Sequence, residues 1–268
     1  MMKIQANNIS MNYEITGDRQ YLTLLHGMGD NMNIWYQQVP AFSRHYRVLN
    51  YDIRGHGQTE LPEGELDTDL WTEDLYALLR ALNINKTILL GYSMGGGIAI
   101  RFTLDHPDMV SALVISGGGG GGEPEPKSED ELLAIEAHRQ KRLKAVNEEG
   151  LKFLFKGARN IFSPGFVDKN PEVFEKYKEI ILQNTSEQYI RVTEKMGQRP
   201  DRPTDLSKIT CPTLMISGEF DPYRRPGNNN STPNAKFIMI PTGHPTFLEQ
   251  PEEFNDFVLK FLTESKLD

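Results

Sequence analysis

With 268 residues, the chain is long enough for one α/β domain with a sizeable core and an inserted subdomain. Its 37 acidic and 29 basic residues give a formal net charge of −8, which argues against nucleic acid or another polyanion as a general partner. Cys211 is the single cysteine and the chain opens on a polar segment without a signal-peptide pattern. We therefore expect a cytoplasmic protein with no membrane partner.

The first predicted elements are two short alternating segments between Lys3 and Ile15, which indicate an antiparallel hairpin. From Tyr21 onward strand patterns alternate with helical patterns, which predicts a mostly parallel, doubly wound sheet with helices on both faces. Apolar residues recur at helical spacing over 71–82 and again over 254–262, so one helix is expected in each range.

A serine lies between two glycines, Gly91 and Gly95, directly after the apolar run 87–90. A strand that turns sharply into a helix forces the turn residue into a strained conformation, which small flanking residues permit. This turn pushes the Ser93 hydroxyl out of the sheet edge and points the Met94 N–H to where an oxyanion could form. We predict that Gly95, Gly96 and Gly97 allow close helix packing, since no phosphate-binding glycine motif accompanies them.

The alternation of strands and helices stops at the glycine run 117–122, which is followed by Pro124 and Pro126. The chain is then helical, beginning with the capping-box pattern of Ser128 and Glu131 and continuing in a second helix after Asn170. An all-helical insert over about 123–206 is therefore expected between two strands of the sheet.

Candidates for a base and an acid follow later strands. Asp221 comes just after the buried strand pattern 212–218, and His244 comes just after the strand pattern 236–240. Open parallel sheets collect their functional groups at the carboxyl ends of strands. The chain order Ser93, Asp221, His244 is the nucleophile, acid and base order of a strand–turn–helix serine nucleophile.

Two further segments fit these motifs: His26–Gly29, after the strand pattern 21–25, and the turn 51–57. Together, the motifs resemble those of the α/β-hydrolase family and of its capped serine hydrolases. The resemblance implies a hydrolase core over 1–122 and 207–268 and a helical cap over 123–206. It also implies a catalytic triad of Ser93, Asp221 and His244. The backbone N–H groups of Met28 and Met94 would form the oxyanion hole, and no cofactor or metal is implied. The polar segment 223–233, after the acid, departs from the family pattern.

Several other residues are candidates for the acid, for stabilising turns or for lining a pocket. Glu219 lies two positions before Asp221 and is the alternative acid. His26, His56 and Arg54 are expected to hold turns and not to take part in the chemistry. Four apolar residues of the insert are candidate walls of a pocket, although apolar residues at helical spacing are more often core: Phe153, Phe155, Phe162 and Met196.

The predicted function is a serine hydrolase, a carboxylesterase or lactonase, which cleaves small to medium carboxylic esters or lactones through an acyl-enzyme. Three alternatives use the same triad: a carbon–carbon bond hydrolase of vinylogous keto-acids, a cofactor-free haloperoxidase or perhydrolase, and a small-molecule receptor that turns over slowly. The carbon–carbon hydrolase would need a cation in the pocket for the substrate carboxylate. Epoxide hydrolases and dehalogenases of this family are disfavoured, because they place an aspartate at the position of Ser93.

Overall fold

The computed structural model describes residues 2–64, 66–117, 128–196, 205–224 and 232–267. Eight strands in these ranges form one sheet with the order β1-β2-β4-β3-β5-β6-β7-β8. The strands are β1 (Met2–Ala6), β2 (Ile9–Thr16), β3 (Tyr21–Leu25), β4 (Arg47–Tyr51), β5 (Thr87–Tyr92), β6 (Val110–Ser116), β7 (Thr213–Gly218) and β8 (Ala235–Ile240). β1 and β2 pair antiparallel and β2 also runs antiparallel to β4, whereas all later pairs are parallel. The predicted hairpin and the mostly parallel sheet are confirmed.

The register of the parallel strands brings their carboxyl ends to one edge of the sheet. Leu25, the last residue of β3, lies beside Gly91 near the end of β5. Gly218, the last residue of β7, lies beside Ile240, the last residue of β8. The loops that follow these strands therefore converge on one edge of the sheet.

Helices cover both faces of the sheet, as the alternating pattern predicts. Apolar residues of α2 and α3 pack with one face, and those of α1, α9 and α10 pack with the other. The helices are α1 (Gln38–Phe42), α2 (Thr68–Ala81), α3 (Met94–Asp105), α4 (Glu129–Glu149), α5 (Phe155–Ala158), α6 (Phe166–Lys169), α7 (Pro171–Ile181), α8 (Ser186–Met196), α9 (Thr246–Glu249) and α10 (Pro251–Glu264). Short 3₁₀ turns occur at Met32–Trp35, Pro107–Met109, Leu151–Leu154, Arg159–Ile161 and Leu206–Lys208. No helix in the described ranges is long and apolar enough to cross a membrane.

Helices α4 to α8 lie between β6 and β7, where the sequence predicts the insert. Ser128 and Glu131 form the predicted capping box, since each side chain bonds the backbone N–H of the other residue. The expected bounds of the insert, 123 and 206, adjoin residues 118–127 and 197–204, which lie outside the described ranges together with most of the glycine run.

The insert rests on the core through α7 and α8. Asn31 donates a side-chain hydrogen bond of 2.7 Å to the Ile180 carbonyl of α7. Asn184, between α7 and α8, donates to the Gly29 carbonyl at 2.9 Å and accepts from the Gly57 N–H at 2.6 Å. These bonds fix the insert to the loops after β3 and β4, over the carboxyl edge of the sheet.

The buried residues of α4 lie in its second half. Leu143 and Val146 are buried, as their spacing predicts. Leu132 and Ile135, which continue the same helical spacing, are 55% and 47% exposed. Helical spacing therefore predicts α4 itself, but not which of its apolar residues are buried.

Candidate active site

Ser93 occupies a sharp turn between β5 and α3. β5 ends at Tyr92, α3 begins at Met94, and Ser93 has φ 51° and ψ −113°. A positive φ is costly for a residue with a side chain, so the surrounding structure must hold it. The Ser93 N–H donates to the Ser116 carbonyl on β6 at 3.0 Å, and the Ser93 carbonyl accepts from the Gly97 N–H at 3.2 Å. The strained turn predicted from the glycine pattern is present.

Two glycines make this turn possible by letting backbone segments approach closely. A Cβ on Gly91 would lie 2.4 Å from the Gly95 carbonyl oxygen, and a Cβ on Gly95 would lie 2.3 Å from the Leu25 carbonyl oxygen. Gly96 also packs closely, since its Cβ would meet Ile115 at 3.3 Å. Gly97 does not follow the prediction for Gly95 to Gly97, because it is exposed and nothing lies within 4 Å of its Cβ position.

His244 and Asp221 form a buried hydrogen-bonded pair. The His244 Nδ1 lies 2.9 Å from the Asp221 Oδ2, and their side chains are 5% and 0% exposed. The second carboxylate oxygen of Asp221 accepts from the Tyr223 N–H at 2.8 Å. Glu219, the alternative acid, is exposed. The carboxylate that meets the imidazole is therefore that of Asp221.

The His244 ring is held by two aromatic side chains. The ring of Tyr92 lies on one side with a centroid distance of 4.9 Å, and the ring of Tyr223 meets it edge-on at 4.8 Å. The backbone N–H of His244 donates to the Ile161 carbonyl of the insert at 2.6 Å. The insert thus takes part in fixing the histidine.

The predicted oxyanion donors lie on either side of Ser93. Met94 is the first residue of α3, so its N–H belongs to the helix N-terminus, where backbone groups have no intrahelical acceptor. Met28 lies in the loop after β3. In the described part of the chain, neither backbone N–H donates to another protein group. Both are therefore free to meet a developing negative charge.

His26, His56 and Arg54 stabilise the loops after β3 and β4. The His26 Nε2 accepts from the Ile53 N–H at 3.0 Å and its Nδ1 donates to the Gly27 carbonyl at 2.8 Å, which requires a neutral ring. Burial lowers the pKa of His26 to about 4 and that of His56 to about 3. Arg54 forms a buried bidentate pair with Asp74 at 2.6 and 2.7 Å. All three residues have the structural contacts that the sequence analysis expects.

Ser93, Met28, Met94 and His244 line one cavity of about 730 Å³ between the sheet edge and the insert. Its floor comes from the strand-end loops and its roof from α4, α5 and the neighbouring turns. A cavity of this volume matches the clefts that bind small molecules. The site is therefore a covered pocket that is lined by Ser93 and His244.

The predicted walls of this pocket are placed as follows. Phe153 and Phe155 line the cavity. Phe162 does not, because it packs instead between Phe166 and Phe174 in the apolar core. The side chain of Met196 lies outside the described part of the structure.

The cavity roof also carries positive charge, which the sequence analysis did not identify. His138, Lys141 and Arg142 of α4 line the cavity, and Lys156 lines it from α5. The first three recur at i, i+3 and i+4, the spacing of one helix face. This spacing shows in the sequence that the three side chains share one helix face. It does not indicate a pocket, because charged helix faces usually meet solvent.

Asp30 is a buried carboxyl at the cavity that no motif singled out. It lies in the loop that contains Met28, it is 3% exposed, and its Oδ1 has no hydrogen-bond partner. Burial raises its pKa to about 7. Asp30 therefore changes its charge near neutral pH, unlike an ordinary aspartate.

Glu249 connects the insert to the loop that carries His244. Its carboxylate accepts from the Gly243 N–H at 2.7 Å and from the Ser163 N–H at 2.9 Å, and it also meets the Ser163 hydroxyl. Burial raises the pKa of this carboxyl.

Over the described ranges, no three His, Cys, Asp or Glu side chains come together as a metal ion would require.

Comparison with known proteins agrees with this architecture. The family profile described as alpha/beta hydrolase fold matches residues 21–143. The chain is similar to 3-oxoadipate enol-lactonase 2 of Acinetobacter baylyi, with 28% identity over 95% of this chain and 94% of the lactonase. It is 27% identical to 2-hydroxy-6-oxo-6-(2'-aminophenyl)hexa-2,4-dienoic acid hydrolase of Metapseudomonas resinovorans, over 97% of this chain and 90% of that protein. A thermophilic esterase from Thermogutta terrifontis superposes with a TM-score of 0.86 at 26% identity, over 98% of both chains. The chain therefore has the α/β-hydrolase fold.

Proposed function

We propose that this protein is a serine hydrolase that cleaves small to medium carboxylic esters or lactones, with Ser93 as nucleophile, His244 as base and Asp221 as acid. One observation carries the proposal. The His244 ring is bonded to the Asp221 carboxylate at 2.9 Å and opens, together with Ser93, onto the same covered cavity. This pair supports the proposal, because a serine hydroxyl is a poor nucleophile without a base and the base needs an acid that orients it.

In the first half-reaction, the Ser93 Oγ attacks the substrate carbonyl carbon while its proton moves to the His244 Nε2. The carbonyl oxygen becomes an oxyanion, which the N–H groups of Met28 and Met94 stabilise. Asp221 fixes the imidazole tautomer and stabilises its cation. When the tetrahedral intermediate collapses, the alcohol oxygen leaves with the proton from His244 and an acyl-enzyme remains.

In the second half-reaction, a water molecule gives a proton to His244 and attacks the acyl carbonyl carbon. The second tetrahedral intermediate expels the Ser93 oxygen, which regains its proton, and the carboxylic acid departs. A lactone follows the same steps, except that its alcohol remains part of the released hydroxy acid. Protein groups and water suffice for both half-reactions.

Two features support the choice of substrate class. The chain is similar to proteins named as an esterase and as an enol-lactonase. The insert, which we assign as a cap over 123–206 on a core of 1–122 and 207–268, covers the cavity and limits the size of a substrate. We keep the cytoplasm as the proposed location, because the single cysteine fits a reducing compartment.

The test is hydrolysis of 4-nitrophenyl esters of graded acyl length and of simple lactones, with wild type and Ser93→Ala. Loss of the nucleophile should lower kcat on the order of a millionfold. Ser111→Ala is the matched control, because Ser111 lies on β6 at the opposite edge of the sheet and should leave the rate unchanged. A fluorophosphonate should label Ser93 alone. An adduct on another residue would contradict the assignment of Ser93 as nucleophile. Very slow turnover of every ester would favour the alternative that the protein is a small-molecule receptor.

A carbon–carbon bond hydrolase is the second candidate. The chain is similar to a protein named as a dienoic acid hydrolase, and the cavity holds the cations that such a substrate would need. Comparing a dienoic keto-acid with the preferred ester separates the two functions. If the keto-acid is cleaved with the higher kcat/KM, the second candidate replaces the first.

A further inference from the structure

The roof of the catalytic cavity is positively charged although the whole chain carries a net charge of −8. His138, Lys141 and Arg142 lie on the cavity side of α4. Asp30 is the one carboxyl residue among the described cavity-lining residues, and it is buried on the opposite side. The pocket therefore has the opposite charge to the protein that contains it.

Arg142 has spare hydrogen-bonding capacity. Its guanidinium lies over the ring of Tyr189 at 5.3 Å from the centroid, and it is half-buried. Throughout the described ranges, no carboxylate or carbonyl group bonds Arg142 or Lys141. A guanidinium has five N–H donors and is always charged, so the Arg142 guanidinium can bind the anionic group of a ligand.

Two neighbouring cations, Arg139 on α4 and Lys156 on α5, have the ion pairs that are typical of a structural role. Arg139 pairs with Glu136 at 2.7 Å and donates to the carbonyl groups of Thr193 and Glu194. Lys156, although it lines the cavity, pairs with Glu149 at 2.6 Å. In contrast to these two, Lys141 and Arg142 have no ion-pair partner among the described residues.

The acid on the opposite wall does not neutralise this charge. Burial raises the pKa of Asp30 to about 7, so a large fraction of Asp30 is uncharged at neutral pH. Tyr177 and Tyr189 also line the cavity and remain neutral, since burial raises the pKa of both hydroxyl groups. The roof therefore lacks an internal counter-ion among the described residues.

We propose that Arg142, with Lys141 and His138 beside it, forms a carboxylate-binding subsite, and that the substrate is an ester or lactone with a free carboxylate away from the scissile bond. The inference rests on the proposed function, because the reacting carbonyl is placed at Ser93. Arginine binds a carboxylate through two parallel charge-assisted hydrogen bonds, which gives orientation as well as affinity. Ser93 in the floor and Arg142 in the roof would hold the two ends of such a substrate.

The test compares two esters of equal acyl length, 4-nitrophenyl pentanoate and the mono-4-nitrophenyl ester of glutaric acid, which ends in a carboxylate. We expect wild type to prefer the glutarate ester by about tenfold or more in kcat/KM, as a charged hydrogen bond allows. Arg142→Gln should remove that preference mainly through KM and change the pentanoate rate less than about threefold. Arg142→Lys should keep part of it, because the charge remains.

Lys144→Gln is the matched control, since Lys144 is an exposed cation of the same helix that does not line the cavity. It should keep the wild-type preference. Equal kcat/KM for both esters in wild type, or an equal loss on both esters in Arg142→Gln, would overturn the subsite.

A binding measurement separates this inference from the proposed function. Glutarate should raise the melting temperature of wild type and of Lys144→Gln but not that of Arg142→Gln, and no turnover is needed for this readout. If neither ester is cleaved but glutarate binding depends on Arg142, the hydrolase proposal fails and the subsite stands. If esters are cleaved but glutarate binding does not depend on Arg142, the subsite fails and the hydrolase proposal stands.

Discussion

The backbone N–H of His244 donates a hydrogen bond of 2.6 Å to the carbonyl of Ile161, so the proposed catalytic base is tied to the inserted helical segment. Gly243, the preceding residue, is held in turn by Glu249, which also accepts from Ser163 of the insert. A Cβ on Gly243 would lie 2.2 Å from the Ile161 carbonyl oxygen, so only glycine fits there. The insert and the base loop therefore form one hydrogen-bonded unit.

Glu249→Gln should weaken this unit while it preserves the shape of the side chain. The amide oxygen can still accept from the Gly243 and Ser163 N–H groups, but these bonds lose their charge assistance and the Ser163 hydroxyl loses its carboxylate acceptor, at a cost of about 1.5–3 kcal/mol of stability. We expect kcat to fall by about tenfold or more with a smaller change in KM, because His244 is less well positioned. Glu252→Gln is the control, since Glu252 is exposed on α10. Equal effects of the two variants on kcat would contradict the positioning role.

The acid of the triad is tested by a second pair of variants. Asp221→Asn replaces the carboxylate that meets His244 and should lower kcat by roughly four orders of magnitude, because the amide favours the wrong imidazole tautomer. Glu219→Gln should be close to wild type, since Glu219 is exposed. Steady-state kinetics with one chromogenic ester measures both. The assignment is wrong if Glu219→Gln is inactive while Asp221→Asn retains activity.

The elements that carry the proposed triad were predictable from the sequence because local constraints determine them. A positive φ at Ser93 needs small neighbours, and the positions of Asp221 and His244 follow from strands that end at one sheet edge. These features depend on a few residues close in sequence. The glycine and strand patterns therefore predict them without knowledge of the packing.

The roof of the cavity could not be predicted in the same way. Helical spacing predicts α4, but not that Leu143 and Val146 pack while Leu132 and Ile135 stay exposed. Which face of α4 turns toward the cavity depends on contacts with distant segments. For the same reason Arg142 could not be distinguished from a solvated cation, and the spacing of Phe162 left open whether it lies in the pocket wall or, as the structure has it, in the core.

The glycines of the nucleophile turn give a prediction on stability. Gly95→Ala would place a Cβ 2.3 Å from the Leu25 carbonyl oxygen, which is backbone and cannot move away easily. We expect it to lower the free energy of unfolding by more than about 2 kcal/mol, because overpacking forces backbone shifts. Gly97→Ala meets nothing within 4 Å on the same helix and should be neutral or stabilising by up to about 1 kcal/mol. Urea denaturation compares the two, and equal losses would show that the close approach at Gly95 does not matter.

The buried titratable groups predict how stability depends on pH. Burial lowers the pKa of His26 from 6.5 to about 4 and that of His56 from 6.5 to about 3. The unfolded chain therefore binds two protons that the folded chain does not bind as pH falls below 6.5. These two groups make stability rise with pH between about 4 and about 6.5.

Asp30 has the opposite effect and makes stability fall as pH rises, over a pH range that extends to about 7. Its pKa is raised from 3.8 to about 7, so between these values the folded chain keeps a proton that the unfolded chain has lost. Its contribution to stability is present below pH 3.8 and is lost as pH rises to about 7. Each proton corresponds to about 1.4 kcal/mol per pH unit, so the loss is at most about 4 kcal/mol.

We therefore expect Asp30→Asn to become more stable relative to wild type as pH rises from about 4 to about 7, with no further change above that. Below pH 6.5, stability should rise more steeply with pH in Asp30→Asn, because the rise due to His26 and His56 is then no longer reduced by the fall due to Asp30. Urea denaturation at several pH values between 4.5 and 8 measures this difference. Asp18→Asn, at an exposed position, should run parallel to wild type. A constant difference between wild type and Asp30→Asn across this range would show that Asp30 titrates like an ordinary aspartate.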